Sequence, residues 1–177
     1  MRPFKGIAYG SHLPVLAHLL SITTGDVIEF GAGIFSTPFL HWMCAGSLHA
    51  PKLRRVFSYD NDQTFLDQFE LQNYTTDRHQ IVCVSDWDTV PVDRPWDVAL
   101  IDHGPVERRA VDAIRVAHAT YVVLHDSGSW DEKHYHYAEH VFPLFRYRCD
   151  FRPGRWTQTT VLSNTQPLDP IASHLNL

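Results

Sequence analysis

Acidic and imidazole side chains recur in this chain at the ends of short apolar runs. Glu29 lies within Val27-Ile28-Glu29-Phe30, just ahead of Gly31-Ala32-Gly33. Val56 to Tyr59 leads into Asp60-Asn61-Asp62, and Ile81 to Val84 into Ser85-Asp86-Trp87. Trp96 to Ile101 leads into Asp102-His103-Gly104, and Tyr121 to Leu124 into His125-Asp126-Ser127. A carboxylate has two acceptor oxygens, enough for a pair of hydroxyls or an exocyclic amine. Histidine titrates near neutral pH and can take a proton from a reacting hydroxyl, which makes His103 and His125 candidate bases. Asp102 and Asp126 are the pair that could share a hard divalent cation such as magnesium.

These groups act together only if the runs are neighbouring strands. In an open parallel sheet, ligands bind beyond the carboxyl ends of the strands, so the five junctions are expected to converge on one crevice. The intervening segments supply helices. Ser11 reads as the cap of a helix carrying Leu13, Leu16, Ala17 and Leu20; Thr37 reads as the cap of the next, with Pro38 its first residue. Phe39, Trp42 and Met43 face one way in that helix, which Gly46 would end. Ala45 to Arg55 reads as an extended surface connection. Phe65, Leu66 and Phe69 mark a third helix. Glu107 to His118 is the clearest, with Ala110, Ala113, Ile114 and Ala117 on the apolar stripe and Arg108, Asp112 and Arg115 on the wet face. A helix over His134 to Leu144, interrupted near Pro143, precedes two β-rich runs, 145–151 and 157–163, that read as an antiparallel hairpin. The expectation is an α/β fold with a mostly parallel sheet in one domain over residues 1–163, and a loose tail over 164–177.

Composition narrows the function classes. The chain has 177 residues, enough for one domain with a substantial core. Its net charge of -5 and isoelectric point near 6.1 give no strong nucleic-acid signal. The cysteines, Cys44, Cys83 and Cys149, are too far apart for a C-x-x-C zinc unit and odd in number. No apolar run approaches the ~18 residues of a membrane span, and the first residues lead into no signal-peptide core. A cytoplasmic protein with a small-molecule partner is expected; the oligomeric state is left open.

The glycine turn narrows them further. Gly31 and Gly33 let backbone approach a ligand closely. G-x-G opens the dinucleotide fingerprint G-x-G-x-x-G, but Ser36 stands where the third glycine belongs, and Glu29 suits a cationic ligand better than a pyrophosphate. The E-x-G-x-G order resembles motif I of the class I S-adenosylmethionine (SAM)-dependent methyltransferases. With GSHLPVLAHLL, IDHGPVERRAVDAIRVAHATYVVLHDS and FRYRCDFRPGRWTQTTVLSN, the chain is similar over most of residues 9–163 to small methyltransferase-like proteins that keep only the SAM-binding core.

The resemblance implies a three-layer αβα Rossmann-like methyltransferase sheet, mostly parallel with a C-terminal antiparallel hairpin, and a role for each junction. Gly31, Ala32, Gly33, Ser36 and Thr37 would cradle the cofactor. Glu29 would orient the loop amides or meet the ligand's ammonium group, against a structural role. Asp60 with Asn61 would take the ribose hydroxyls, with Asp62 the helix cap. Asp86 and Trp87 would hold adenine, or else start a turn and pack in the core. Asp102 would face the methionine ammonium or the acceptor. His103, His125 and Asp126 are the catalytic candidates; Ser11, His12 and Arg108 are the substrate-side ones. In metal-dependent relatives the fifth-strand Asp is followed by Asn, whereas Ser127 follows Asp126, so Mg2+ at Asp102 and Asp126 is the lesser reading. His134, His136 and His140 read as a solvated face. The function implied is O-methylation of a small-molecule or glycan-like acceptor, with S-adenosylhomocysteine (SAH) as product. A non-catalytic SAM-binding module and an NAD-dependent oxidoreductase are the alternatives.

Overall fold

Seven short strands form the centre of the computed structural model, which describes residues 10–45, 54–129, 132–154 and 157–175. β1 (Val27–Phe30), β2 (Val56–Asp60), β4 (Val98–Ile101) and β5 (Tyr121–Leu124) are buried at every position, as expected of parallel strands covered on both faces. β3 (His79–Cys83), β6 (Tyr147–Gly154) and β7 (Thr157–Ser163) complete the sheet, in the order β3-β2-β1-β4-β5-β7-β6. β1 to β5 are parallel, whereas β7 runs antiparallel between β5 and β6. The chain reverses its direction of strand addition between β1 and β4, where Val27 pairs with both Val56 and Val98.

Strand alternation divides the core between two faces. Ile28, Phe30, Ala99, Ile101 and Leu124 pack on one side with Trp87 and Trp96. Val27, Val98, Leu100 and Val123 pack on the other, against Leu16 and Leu19 of α1 (Leu13–Ile22). The other helices are α2 (Ser36–Leu40), α3 (Gln63–Gln68), α4 (Arg108–Arg115), α5 (Glu132–Tyr135), α6 (Tyr137–His140) and α7 (Asp169–His174). Among the described residues no helix is long and apolar enough to cross a membrane.

Several local expectations are corrected. Ser11 caps nothing: α1 starts after His12, and the Ser11 hydroxyl lies 3.2 Å from His125 Nε2. α2 begins at Ser36 after Phe35, so Thr37 is inside the helix with its hydroxyl turned to Glu29. A π-helical stretch over His41–Ala45 continues α2 and leaves Trp42 exposed, off the face shared by Phe39 and Met43. Gly46 and residues 46–53 of the expected connection lie outside the described residues. The segment before β6 is broken at His136, whose φ of 51° ends α5, as well as near Pro143. The tail is docked: Pro170 enters the first turn of α7, and Leu168 and Ile171 join the core. On α4, Asp112 is fully buried while Ile114 is exposed, the reverse of the expected faces.

Candidate functional site

A cavity of about 340 Å³ opens beyond the carboxyl ends of β1, β4 and β5. Its floor is the turn Gly31-Ala32-Gly33, and Ser36, Phe65, Asp102, Arg109, His125, Asp126 and His12 contribute to its walls. Gly31 has a φ of +92°, and a Cβ there would lie 2.5 Å from the Asp102 carbonyl oxygen. β1 and β4 therefore pass so closely at this point that only glycine fits.

The turn is fixed from below. The Gly33 amide donates to Thr37 Oγ1 at 2.9 Å, and the Thr37 hydroxyl donates to Glu29 Oε2 at 2.8 Å. Glu29 has no solvent exposure and does not line the cavity, so it acts on the loop through Thr37. Burial pushes its pKa up to about 7, against hydroxyls of Ser36, Ser58 and Thr37 that favour the charged form. With the folded value above the unfolded 4.5, this group's stabilisation is complete below pH 4.5 and is lost as pH rises through 7. Glu29→Gln keeps an acceptor for Thr37 without the charge. We expect chemical denaturation to show the wild type losing about 3 kcal/mol relative to this variant between pH 4.5 and pH 8. Parallel pH profiles for the two proteins would show that Glu29 ionises normally.

Asp102 is the electrostatic centre of the wall. Its Oδ1 lies 2.9 Å from Arg109 Nη2 and 3.0 Å from His125 Nδ1, and Asp126 Oδ2 is 3.5 Å from the same nitrogen. Burial works against the Asp102 charge, but His125 and Arg109 together hold its pKa below the usual carboxylate range. Burial likewise opposes a charged His125, and Asp102 outweighs it, so the His125 pKa is raised. Asp126, half-exposed and with a φ of 52°, has its pKa raised by burial. His12 is buried beside His125, ring centroids 4.5 Å apart and nearly perpendicular, and burial lowers its pKa to about 4.

The remaining candidates lie elsewhere. Asp60, at the end of β2, accepts the Asp62 amide, while Asp62 caps α3 and Asn61 is exposed. Asp86 caps the short turn 87–89, and neither it nor Trp87 lines the cavity. Trp87 is a core residue, packed on Phe30 and His103, with its indole N–H donated to the Gly104 carbonyl; this corrects the stacking role. His103 is also corrected. Strand alternation turns it away from Asp102, and its Nε2 lies 2.9 Å from Asp112 Oδ2 under the Trp87 ring. Arg108 is held by Asp112 and Asp88, not offered to an acceptor. His136 and His140 are exposed and lie beside Glu139.

Arg109 is the site residue that sequence reasoning missed. It is buried, donates to the His103 carbonyl at 2.7 Å and the His125 carbonyl at 3.4 Å, and stacks over Tyr135 at 4.7 Å. A cation beside a helix N-terminus is unfavourable for the helix, and that opposition was the available signal.

No family model and no curated protein matches this chain. Solved structures do. The N-methyltransferase NodS from Bradyrhizobium japonicum WM9 aligns with a TM-score of 0.61 at 11% identity, over 88% of this chain and 95% of that one. Its complex with SAH aligns at 0.56, 10% identity, 88% and 86%. Human methyltransferase-like protein 13 with SAH gives 0.58 at 16% identity, over 97% of this chain and 87% of that one. The chain therefore has the Rossmann-like fold seen in these class I SAM-dependent methyltransferases, a mostly parallel seven-stranded sheet with an antiparallel β7.

Proposed function

We propose that this chain is a SAM-dependent methyltransferase that acts on a hydroxyl of a small-molecule or glycan-like acceptor. The observation that carries the reading is the glycine-floored cavity at the point where strand order reverses, in a sheet whose β7 is antiparallel. The residues fit the cofactor: the turn admits close backbone approach, and acidic groups at the strand ends suit a cationic, hydroxyl-bearing ligand. Solved neighbours hold SAH. An antiparallel β7 within the sheet weighs against an NAD-dependent oxidoreductase, as does Ser36 at the third-glycine position.

Gly31, Ala32 and Gly33, with Ser36 and Thr37, would hold the methionine portion of SAM; Asp60 and Asn61 would take the ribose hydroxyls, Asp86 the adenine amine, and Asp102 would face the ammonium group or the acceptor. When bound, the cofactor supplies an electrophilic methyl group. This chain contributes orientation, exclusion of water and a destination for the acceptor's proton. Asp126 supports a hydroxyl acceptor, because it faces the cavity and burial raises its proton affinity. His125 borders the cavity beside Asp126, with Ser11 Oγ 3.2 Å from its Nε2 and Asp102 Oδ1 3.0 Å from its Nδ1, and would support Asp126 from there. Magnesium at Asp102 and Asp126 has less support: the His125 Nδ1 stands between the two carboxylates, a nitrogen donor where magnesium prefers oxygen, and the Ser127 hydroxyl is bonded to Thr160. Three unpaired cysteines support a reducing, cytoplasmic setting.

Calorimetric titration with SAM, SAH and NAD tests the reading. SAM and SAH are expected to bind one per chain and NAD not to; NAD binding without SAM binding would overturn it. A labelled-methyl screen over hydroxyl acceptors, with and without magnesium, then separates an enzyme from a binding module.

A further inference from the structure

His12 is an ionisable wall residue to which the proposed methyl transfer gives no role. It is 1% exposed, lines the cavity, and has no hydrogen-bond partner on either ring nitrogen among the described residues. A buried donor or acceptor left unmade costs roughly 1–3 kcal/mol, so an orphaned imidazole in a polar wall points to a missing partner. That partner must sit close to two further ligand-type groups. One donor atom each from His12, Asp102 and His125 lie within 4.8 Å of one another.

We propose that His12, Asp102 and His125 form a divalent transition-metal site in the wall of the crevice. The donor set is two imidazoles and one carboxylate, which suits Zn2+, Fe2+, Mn2+ or Co2+ and not the all-oxygen preference of Mg2+ or Ca2+. Around a four-coordinate ion with bonds of 2.0–2.2 Å the donors stand about 3.3 Å apart, so closure needs shifts of roughly 1–1.5 Å. His12 immediately precedes α1, where a small side-chain movement suffices.

The surroundings complete the site. His125 Nδ1 already lies 3.0 Å from Asp102 and 3.5 Å from Asp126, so an ion held there takes the position of any proton on that nitrogen, and Asp126 borders the position as a further oxygen. Ser11 sits behind His125 at Nε2 and fixes the ring. Arg109 stays on Asp102 Oδ1 as an outer partner; its charge lowers affinity for any cation here, so moderate binding is expected. Three protein ligands leave coordination positions for an acceptor oxygen or nitrogen in the crevice. That use of the ion rests on the methyltransferase reading, whereas binding of the ion does not.

The test uses tag-free, chelator-stripped full-length protein without SAM, titrated with Co2+ while visible d–d absorption is followed. One Co2+ per chain is expected, displaced by Zn2+. His12→Ala should weaken Co2+ binding roughly 100-fold or more. The double change His136→Ala with His140→Ala, which removes the exposed imidazoles elsewhere, should leave binding intact. Histidine 15N spectra of the wild type should show Zn2+ perturbing His12 and His125. Absence of stoichiometric Co2+ binding by the wild type overturns the proposal, as does full retention in His12→Ala or perturbation confined to His136 and His140. Because SAM binding is measured separately, failure of either reading leaves the other standing.

Discussion

Replacing Arg109 with leucine is expected to destabilise the protein by about 3–5 kcal/mol, the range for removing one partner of a buried ion pair. The guanidinium has several roles at once. It neutralises Asp102 at 2.9 Å, ties down the backbone carbonyls at 103 and 125 just beyond β4 and β5, and rests on the Tyr135 ring. Leucine fills part of the volume but leaves the Asp102 carboxylate in low-dielectric surroundings facing only imidazoles. Arg109→Lys keeps the charge without the planar fork and should recover less than half of the loss. Urea denaturation near pH 7 measures both. A loss below about 1 kcal/mol for Arg109→Leu would mean that solvent, not arginine, balances Asp102.

The second large effect concerns Gly31. Gly31→Ala combines an unfavourable positive φ with a Cβ 2.5 Å from the Asp102 carbonyl oxygen and 2.7 Å from the His103 nitrogen. Those atoms are backbone and cannot rotate away. The strain and the overpacking add to about 2–5 kcal/mol. Relief requires β1 and β4 to separate where they form the cavity floor, so SAM and SAH affinity should fall by roughly 100-fold, equivalent to about 3 kcal/mol. Gly33→Ala is the internal control for stability, because its Cβ meets no backbone atom closer than 4.0 Å and its one tight neighbour is the Ser36 hydroxyl at 2.8 Å, a side-chain atom. It should cost no more than about 1 kcal/mol. Thermal denaturation of the two variants distinguishes a close backbone approach from a general intolerance of the turn; equal losses of stability would reject the former.

The sheet was readable because buried parallel strands leave an unmistakable trace: apolar runs such as Val98–Ile101 and Tyr121–Leu124, each broken by a polar residue at its carboxyl end. Helix faces were harder. Asp112 looked like a solvent-facing charge on α4, yet it is buried under His103, Arg108 and Arg115, which overcome the burial penalty and keep its pKa at about 2. Charge alone does not say whether partners will arrive from other elements, so a buried ion network reads as a wet face. The same limit hid Arg109. His103 and Trp87 were misplaced for a geometric reason: a residue next to a strand end can face the crevice or the core, and the one-residue step from Asp102 to His103 crosses between them. Pro167 and Pro170 suggested a loose tail, but a proline in a first helical turn starts a helix as readily as it ends one.

The Ser11–His125 contact joins residues 114 positions apart in the chain. Neighbouring parts of the cavity are equally scattered in sequence, with the floor after β1 and the walls after β4 and β5. Loop closure on that scale contributes nothing until most of the sheet has assembled, so ligand-binding competence appears at the end of folding and disappears at the start of unfolding. A bound ligand therefore couples to the whole domain. It should raise the melting temperature of a globally weakened variant by mass action, wherever in the molecule the weakening lies.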